Sequence, residues 1–286
     1  MINLEVLLNG IILGSLYGLI SCGFTLIYGV GKIANLAYGH IYMAATYLAY
    51  LLIVYQTAFP AVAFLTICFS FLIGIATQRI IERGEGMASR ELFISLGIAI
   101  IIENLLLAYF GGNYRFSPNY VSGVIRIGTI VIETYRLITF ALTTVIFIVL
   151  SLFIALTRFG RSMRAVSENE KASWLMGIDV EKVKLATGGI AGGLAAIAAL
   201  LLLPLYPIYP AMGWTYLLIG FAIVILGGMG SVKGTLLAGI LLGAGESLFG
   251  YYISTGLRGT LYFVTIIIVI LVRPQGLFGS KEAKSL

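Results

Sequence analysis

Apolar stretches of about twenty residues follow one another along this chain, separated by short polar joints. Candidate spans fall at about 4–30, 33–56, 60–81, 91–111, 136–157, 184–206, 214–230, 235–254 and 258–272. A helix of that length matches the hydrocarbon layer of a bilayer, roughly 30 Å at 1.5 Å per residue. The pattern predicts an all-α polytopic transmembrane helical bundle of eight or nine spans within a single domain, 1–286. The last few segments are short and glycine-rich, so one of them is a candidate half-membrane piece. The repeated alternating strands of an outer-membrane barrel are missing. One local exception occurs in residues 112–135, where Val124, Ile125, Arg126, Ile127, Gly128, Thr129, Ile130 and Val131 suit a small external β-hairpin. That loop reads either as a solvated connector or as a docking surface for an external protein.

The longest polar interruption is residues 158–184, RFGRSMRAVSENEKASWLMGIDVEKVK. Residues 162–176 suit a helix with Met163, Val166, Trp174, Leu175 and Met176 among polar neighbours, closed by Gly177. Such a helix either lies on lipid or docks in a groove of a cytosolic partner.

Composition and charge sharpen the picture. Of 286 residues, 60% are hydrophobic and 10% charged, too little charge to coat a soluble surface. The net charge of +6 is concentrated at span ends, where topology explains it without nucleic acid. Arg79, Arg83 and Arg90, the 158–184 segment, and Arg273, Lys281 and Lys284 gather on one side, which the positive-inside rule makes cytoplasmic. The N-terminus with Glu5, the 112–135 loop and the turn around 204–212 then lie outside, and an odd number of spans fits. The first apolar stretch lacks a basic n-region and reads as a retained span rather than a signal peptide. Cys22 and Cys68 fall within spans as packing residues, with no disulfide framework.

Small residues recur four apart: Gly10, Gly14 and Gly18; Gly188 and Gly192 beside Gly189 and Gly193; Gly239 and Gly243. This spacing lets helices approach closely where lipid supplies no hydrophobic drive. Two glycine breaks, at residues 28–32 and 227–234, each carry one lysine at the cytoplasmic end of an inward-running span, a pattern that hints at parallel internal repeats. The break at Gly29-Val-Gly-Lys32 is not a phosphate-binding loop, since Leu26 and Ile33 stand where glycine and Ser or Thr are required. ATP, if used, must be bound by another chain.

Ionisable groups within apolar spans are costly and become functional candidates by default. They are His40, Glu103 and Glu246, and with Asn35, Tyr38 and Asn104 they form the candidate translocation path. Each also has a structural reading as a helix-to-helix hydrogen-bonding group. No His, Cys or acidic cluster has metal spacing, no nucleophile–base pair is present, and no cofactor is implied. An ion-coupled transporter using His40, Glu103 and Glu246 is the competing class.

The stretches LNGIILGSLYGLISCGFTLIYGVGKIANLAYGHIYM, SENEKASWLMGIDVEKVK, GGMGSVKGTLLAGILLGAGESL and LVRPQGLFG together resemble the permease subunits of branched-chain amino-acid (leucine/isoleucine/valine) ABC importers. The resemblance runs along nearly the whole chain. It implies an inner-membrane subunit of a prokaryotic importer that pairs with a second similar permease, sits on two cytosolic ATPases and receives substrate from an external binding protein. It also implies that residues 167–178 form the coupling region, with Ser167, Glu168, Ala172, Trp174, Leu175, Gly177 and Ile178 as its contact positions. One departure stands out. Where the family commonly reads Asn-Phe-Ala-His-Gly-Glu, this chain has Asn35-Leu-Ala-Tyr-Gly-His40, so an acid is replaced by histidine. Related permeases carry urea or short amides, which keeps that substrate class open.

Overall fold

The computed structural model describes residues 4–83, 88–118, 121, 123–127, 130–273 and 275–279. Each of the nine apolar segments is a helix: α1 (Leu4–Gly31), α2 (Tyr38–Val54), α3 (Phe59–Glu82), α4 (Ala88–Phe110), α5 (Thr134–Leu156), α8 (Val180–Leu202), α9 (Met212–Gly227), α10 (Val232–Tyr252) and α11 (Arg258–Val272). Between α5 and α8 lie two short helices, α6 (Arg158–Glu168) and α7 (Glu170–Leu175). Six of the apolar helices are long enough to cross a membrane, while α2, α9 and α11 have 17, 16 and 15 residues.

The late start of α2, at Tyr38 rather than near residue 33, has a local cause. Lys32 takes a left-handed φ of 56° just beyond the end of α1, and the Asn35 side chain accepts a hydrogen bond from the Ala37 amide at 2.9 Å. An asparagine folded onto its own backbone in this way makes a turn and delays the helix.

The predicted hairpin is present: β1 (Val124–Ile127) pairs antiparallel with β2 (Ile130–Glu133), Ile125 opposite Ile132. Its two connecting positions, Gly128 and Thr129, lie outside the described residues, as do Lys281 and Lys284 of the tail.

The bundle is organised around α1, of whose most apolar window 94% is buried. Close glycine packing explains how. α1 runs antiparallel to α10, Gly10 lying on Gly243 and Ala244, Gly14 on Gly239 and Ile240, and Gly18 facing Leu236. A Cβ added at Gly14 would overlap the Gly239 carbonyl, so the two backbones touch. The α8 glycines use the same device against α3: Gly188 meets Gly74 and Gln78, and Gly192 meets Ser70 and Gly74. Gly74 is the partner that spacing alone left unidentified, because it is a single glycine in its helix. Thr25 and Thr235 share a hydroxyl hydrogen bond of 2.7 Å across α1 and α10.

By contrast, α3, α4, α5 and α11 turn rows of apolar side chains outward, among them Phe93, Ile101, Leu105 and Tyr109 on α4. A water-soluble protein would not leave such rows bare, whereas lipid or another membrane subunit covers them at no cost.

The two ends of the bundle sort as the charge count requires. At one end the glycine breaks meet, Gly29 against Gly230, and a cavity is lined by Arg79, Glu82, Arg83, Glu170, Val180, Glu181 and Lys184. At the other end Arg115 and Ile208 exchange backbone hydrogen bonds of 2.9 and 2.8 Å, and Arg136 reaches Asn9. Arg115, the start of α5, the turn before α9 and the start of α1 therefore share a side opposite the basic segment.

Candidate functional site

The basic end is built by the elbow between α5 and α8. Thr157 adopts ψ 157°, ends α5 and caps α6 by accepting from the Gly160 amide at 2.9 Å. Gly160 sits against the Ile154 backbone, where a Cβ has no room. Arg164 donates from α6 to the Ile154 and Ala155 carbonyls, satisfying groups that the end of a helix leaves without partners. Met163 and Val166 are buried in the main core, so α6 is anchored to the bundle.

The single helix expected over 162–176 is in fact two. The break is at Asn169, which adopts φ −155° and whose Oδ1 accepts from the Ala172 amide at 2.9 Å, making it the N-cap of α7. Asparagine is among the strongest capping residues, and here capping overrides helix continuation. The consequence is a split of the expected apolar face. Met163 and Val166 point inward, whereas Trp174, Leu175 and Met176 are 69%, 77% and 83% exposed.

Gly177 closes α7 at φ +82°, as its position predicted. The Ile178 amide bonds to the Ser173 carbonyl and the Gly177 amide to the Trp174 carbonyl, both at 3.0 Å, the paired bonds of a Schellman ending. Asp179 then caps α8, accepting from the Lys182 amide at 3.1 Å. The Lys182 ammonium, hydrogen-bonded to it, holds the Asp179 carboxyl below its ordinary value. Lys184, nearly buried on α8, donates to Glu170 at 2.6 Å and ties α7 to the span that follows. Of the other expected contact positions, Ser167 and Ile178 are half-buried, and Glu168 and Ala172 are exposed.

The candidate path residues do not form one site. Glu103, on α4, accepts a hydrogen bond from Trp214 Nε1 at 2.6 Å and lies 3.6 Å from His40 Nε2. His40 is fully buried, its ring 4.5 Å from that of Trp214, with Glu103 and the Leu36 backbone as the polar groups that face it. Gly213 makes the approach possible, since a Cβ there would press on the imidazole. Asn35 is buried just before the same helix, its Nδ2 without a partner among the described residues. Tyr38 instead ties helices together, donating to the Ile20 carbonyl at 2.9 Å with the Ala191 carbonyl at 3.3 Å, in space left by Gly23. Asn104 faces outward and bonds to the Ile100 carbonyl of its own helix.

Glu246 belongs elsewhere. It is buried on α10 with the Tyr17 and Tyr262 hydroxyls in hydrogen-bonding reach and the Arg258 charge nearby. Trp214 was missed by sequence reasoning because a tryptophan at the head of an apolar helix reads as an interfacial anchor. Only its proximity to Glu103 gives it a role.

A multi-span apolar helical bundle with a capped polar elbow at its basic end is the form of a membrane-embedded subunit. The family model for the branched-chain amino acid transport system permease component matches residues 6–272, and the chain belongs to that family. Relatives include the high-affinity branched-chain amino acid transport system permease protein BraD of Pseudomonas aeruginosa, 30% identical over 98% of this chain and 97% of BraD. LivH of Escherichia coli K12 is 29% identical over 98% of this chain and 97% of its own length. LivM of the same organism is 27% identical over 92% of this chain and 67% of LivM. Among solved structures, PsaBC from Streptococcus pneumoniae in complex with Fab superposes with a TM-score of 0.54 at 14% identity, covering 96% of this chain and 93% of that one, a likeness of fold. The chain is thus a multi-pass membrane permease component, not an enzyme.

Proposed function

We propose that this chain is the translocating subunit of an ATP-driven importer for small amino acids, branched-chain ones by kinship, delivered by an external binding protein. It pairs with a second, similar permease and rests on two cytosolic ATPases. The observation that carries this reading is the α6–α7 elbow. Trp174, Leu175 and Met176 project from a helix fixed at both ends by Asn169 and Gly177, on the basic face of the bundle, and Lys184 links that helix to α8. An exposed apolar knob braced against a span is what a lever needs: a partner's groove grips the knob, and the brace passes its movement to α8.

Pairing with a second permease is supported by two facts. LivH and LivM, two permeases of one organism, both resemble this chain along most of its length. Glu103 also keeps a partly open carboxylate on a helix whose other face is bare and apolar, a placement that hydrocarbon would not tolerate. A protein seam with water in it would.

Transport proceeds by alternation between outward- and inward-open arrangements, the ATPases supplying the difference in free energy between them. Uptake into proteoliposomes holding this chain with its partners should require both ATP and the loaded binding protein. Uptake driven by an ion gradient alone would establish the competing class instead. The replacement of an acid by His40 leaves a second substrate reading, urea or short amides, and competition by leucine against acetamide in the same vesicles separates the two.

A further inference from the structure

We infer that Glu103 recognises the ammonium group of the substrate, with Trp214 and His40 as the residues that position it. The inference rests on the translocation reading given above and names the chemistry of that path. Glu103 lies seven residues before the end of α4 at Phe110, about 10 Å along the helix axis from its outer end. Among the described residues its two polar contacts, the Trp214 indole at 2.6 Å and the His40 imidazole at 3.6 Å, both fall on Oε2. A carboxylate has two oxygens and about four acceptor sites, so one neutral donor and one imidazole beyond hydrogen-bond distance leave most of its capacity unused. The side chain is 22% exposed, on a helix that is otherwise among the least buried of the bundle and is flanked there by Ile101 and Leu105.

A purely structural glutamate would be enclosed and fully paired. This one is held by two aromatic rings on one side and open on the other. The group that suits it best donates hydrogen bonds and carries positive charge, because a cation adds Coulombic attraction to the hydrogen bond and compensates a charge that is costly within a span. No lysine or arginine of the described residues has an ion pair with Glu103, the nearest basic group being His40. A primary ammonium meets both demands. Urea and short amides donate hydrogen bonds but leave the charge uncompensated, so the cluster favours amino acids over amides.

Trp214 provides the readout, since its indole nitrogen is bonded to the carboxylate. The test uses the assembled transporter in nanodiscs without nucleotide, and takes the difference in tryptophan emission between the wild-type complex and one carrying Trp214→Phe. The probes are L-leucine, isopentylammonium, 4-methylvalerate and acetamide. Leucine and isopentylammonium should change the emission saturably, and 4-methylvalerate and acetamide should not. Glu103→Gln should raise the half-saturating concentration of isopentylammonium at least tenfold, and Glu103→Asp should restore part of the response. An equal response to acetamide, or an unchanged response in Glu103→Gln, would overturn the assignment. Should Glu103→Gln fail to assemble, Glu103→Asp decides: a raised half-saturating concentration of isopentylammonium supports the assignment, and an unchanged one overturns it. ATP-dependent uptake by the wild-type complex is measured separately. Uptake with no ammonium response removes this inference alone, and an ammonium response without ATP dependence removes the importer reading alone.

Discussion

Gly177 shows how one residue sets the geometry of the elbow. At φ +82° it adopts a conformation that L side chains rarely take, yet a Cβ there would meet nothing within 4 Å. The requirement is conformational, not spatial. Gly177→Ala should therefore cost about 1 kcal/mol of local order, and Gly177→Val more, with no steric overlap. The measurement is the ratio of substrate imported to ATP hydrolysed, which should fall in the order glycine, alanine, valine while the amount of inserted protein stays constant. Asn169→Ala removes the cap at the other end of α7 and should loosen it by about 1 kcal/mol; hydrogen exchange across 170–175 would report it. Gly177 was legible in the sequence because glycine after an amphipathic run signals a helix end. Asn169 was not, since the polar run around it is equally compatible with a continuous helix, and the choice is made by one side-chain-to-backbone bond.

Helix pairing sets the next scale. The α1 and α10 glycines leave no room for side chains, so Gly14→Leu should separate the helices and lower the thermal stability of the solubilised protein, or prevent its recovery. Gly97→Ala offers a control, because a Cβ there would meet nothing within 4 Å and should be tolerated. The nine apolar segments were readable from hydropathy alone, since the demand for internally paired backbone leaves a helix as the one outcome for each. Which glycine stripe faces which was not readable. Spacing reveals a close approach but not its partner, and Gly74, isolated in its helix, carried no signal until α8 was seen lying on it. The same limit explains the path residues: His40, Glu103 and Glu246 were singled out by their cost in an apolar setting, but only packing shows that Glu103 joins His40 and Trp214 while Glu246 joins Tyr17 and Tyr262.

For the whole molecule, the central claim is that the elbow turns another protein's ATP cycle into movement of these helices. Its topology carries a checkable corollary: a cysteine placed at Arg126 in the hairpin should react with a membrane-impermeant thiol reagent added outside the cell, and one placed at Lys171 should not. The most direct test concerns the exposed apolar side chains of α7. In proteoliposomes containing this chain with its partner permease, ATPases and loaded binding protein, the double variant Trp174→Ala, Leu175→Ala is compared with wild type for substrate taken up per ATP hydrolysed. Both side chains are largely exposed, so the bundle should remain intact. A fall of at least tenfold in that ratio, with insertion and assembly preserved, is the predicted result. An unchanged ratio in the assembled double variant would contradict the account.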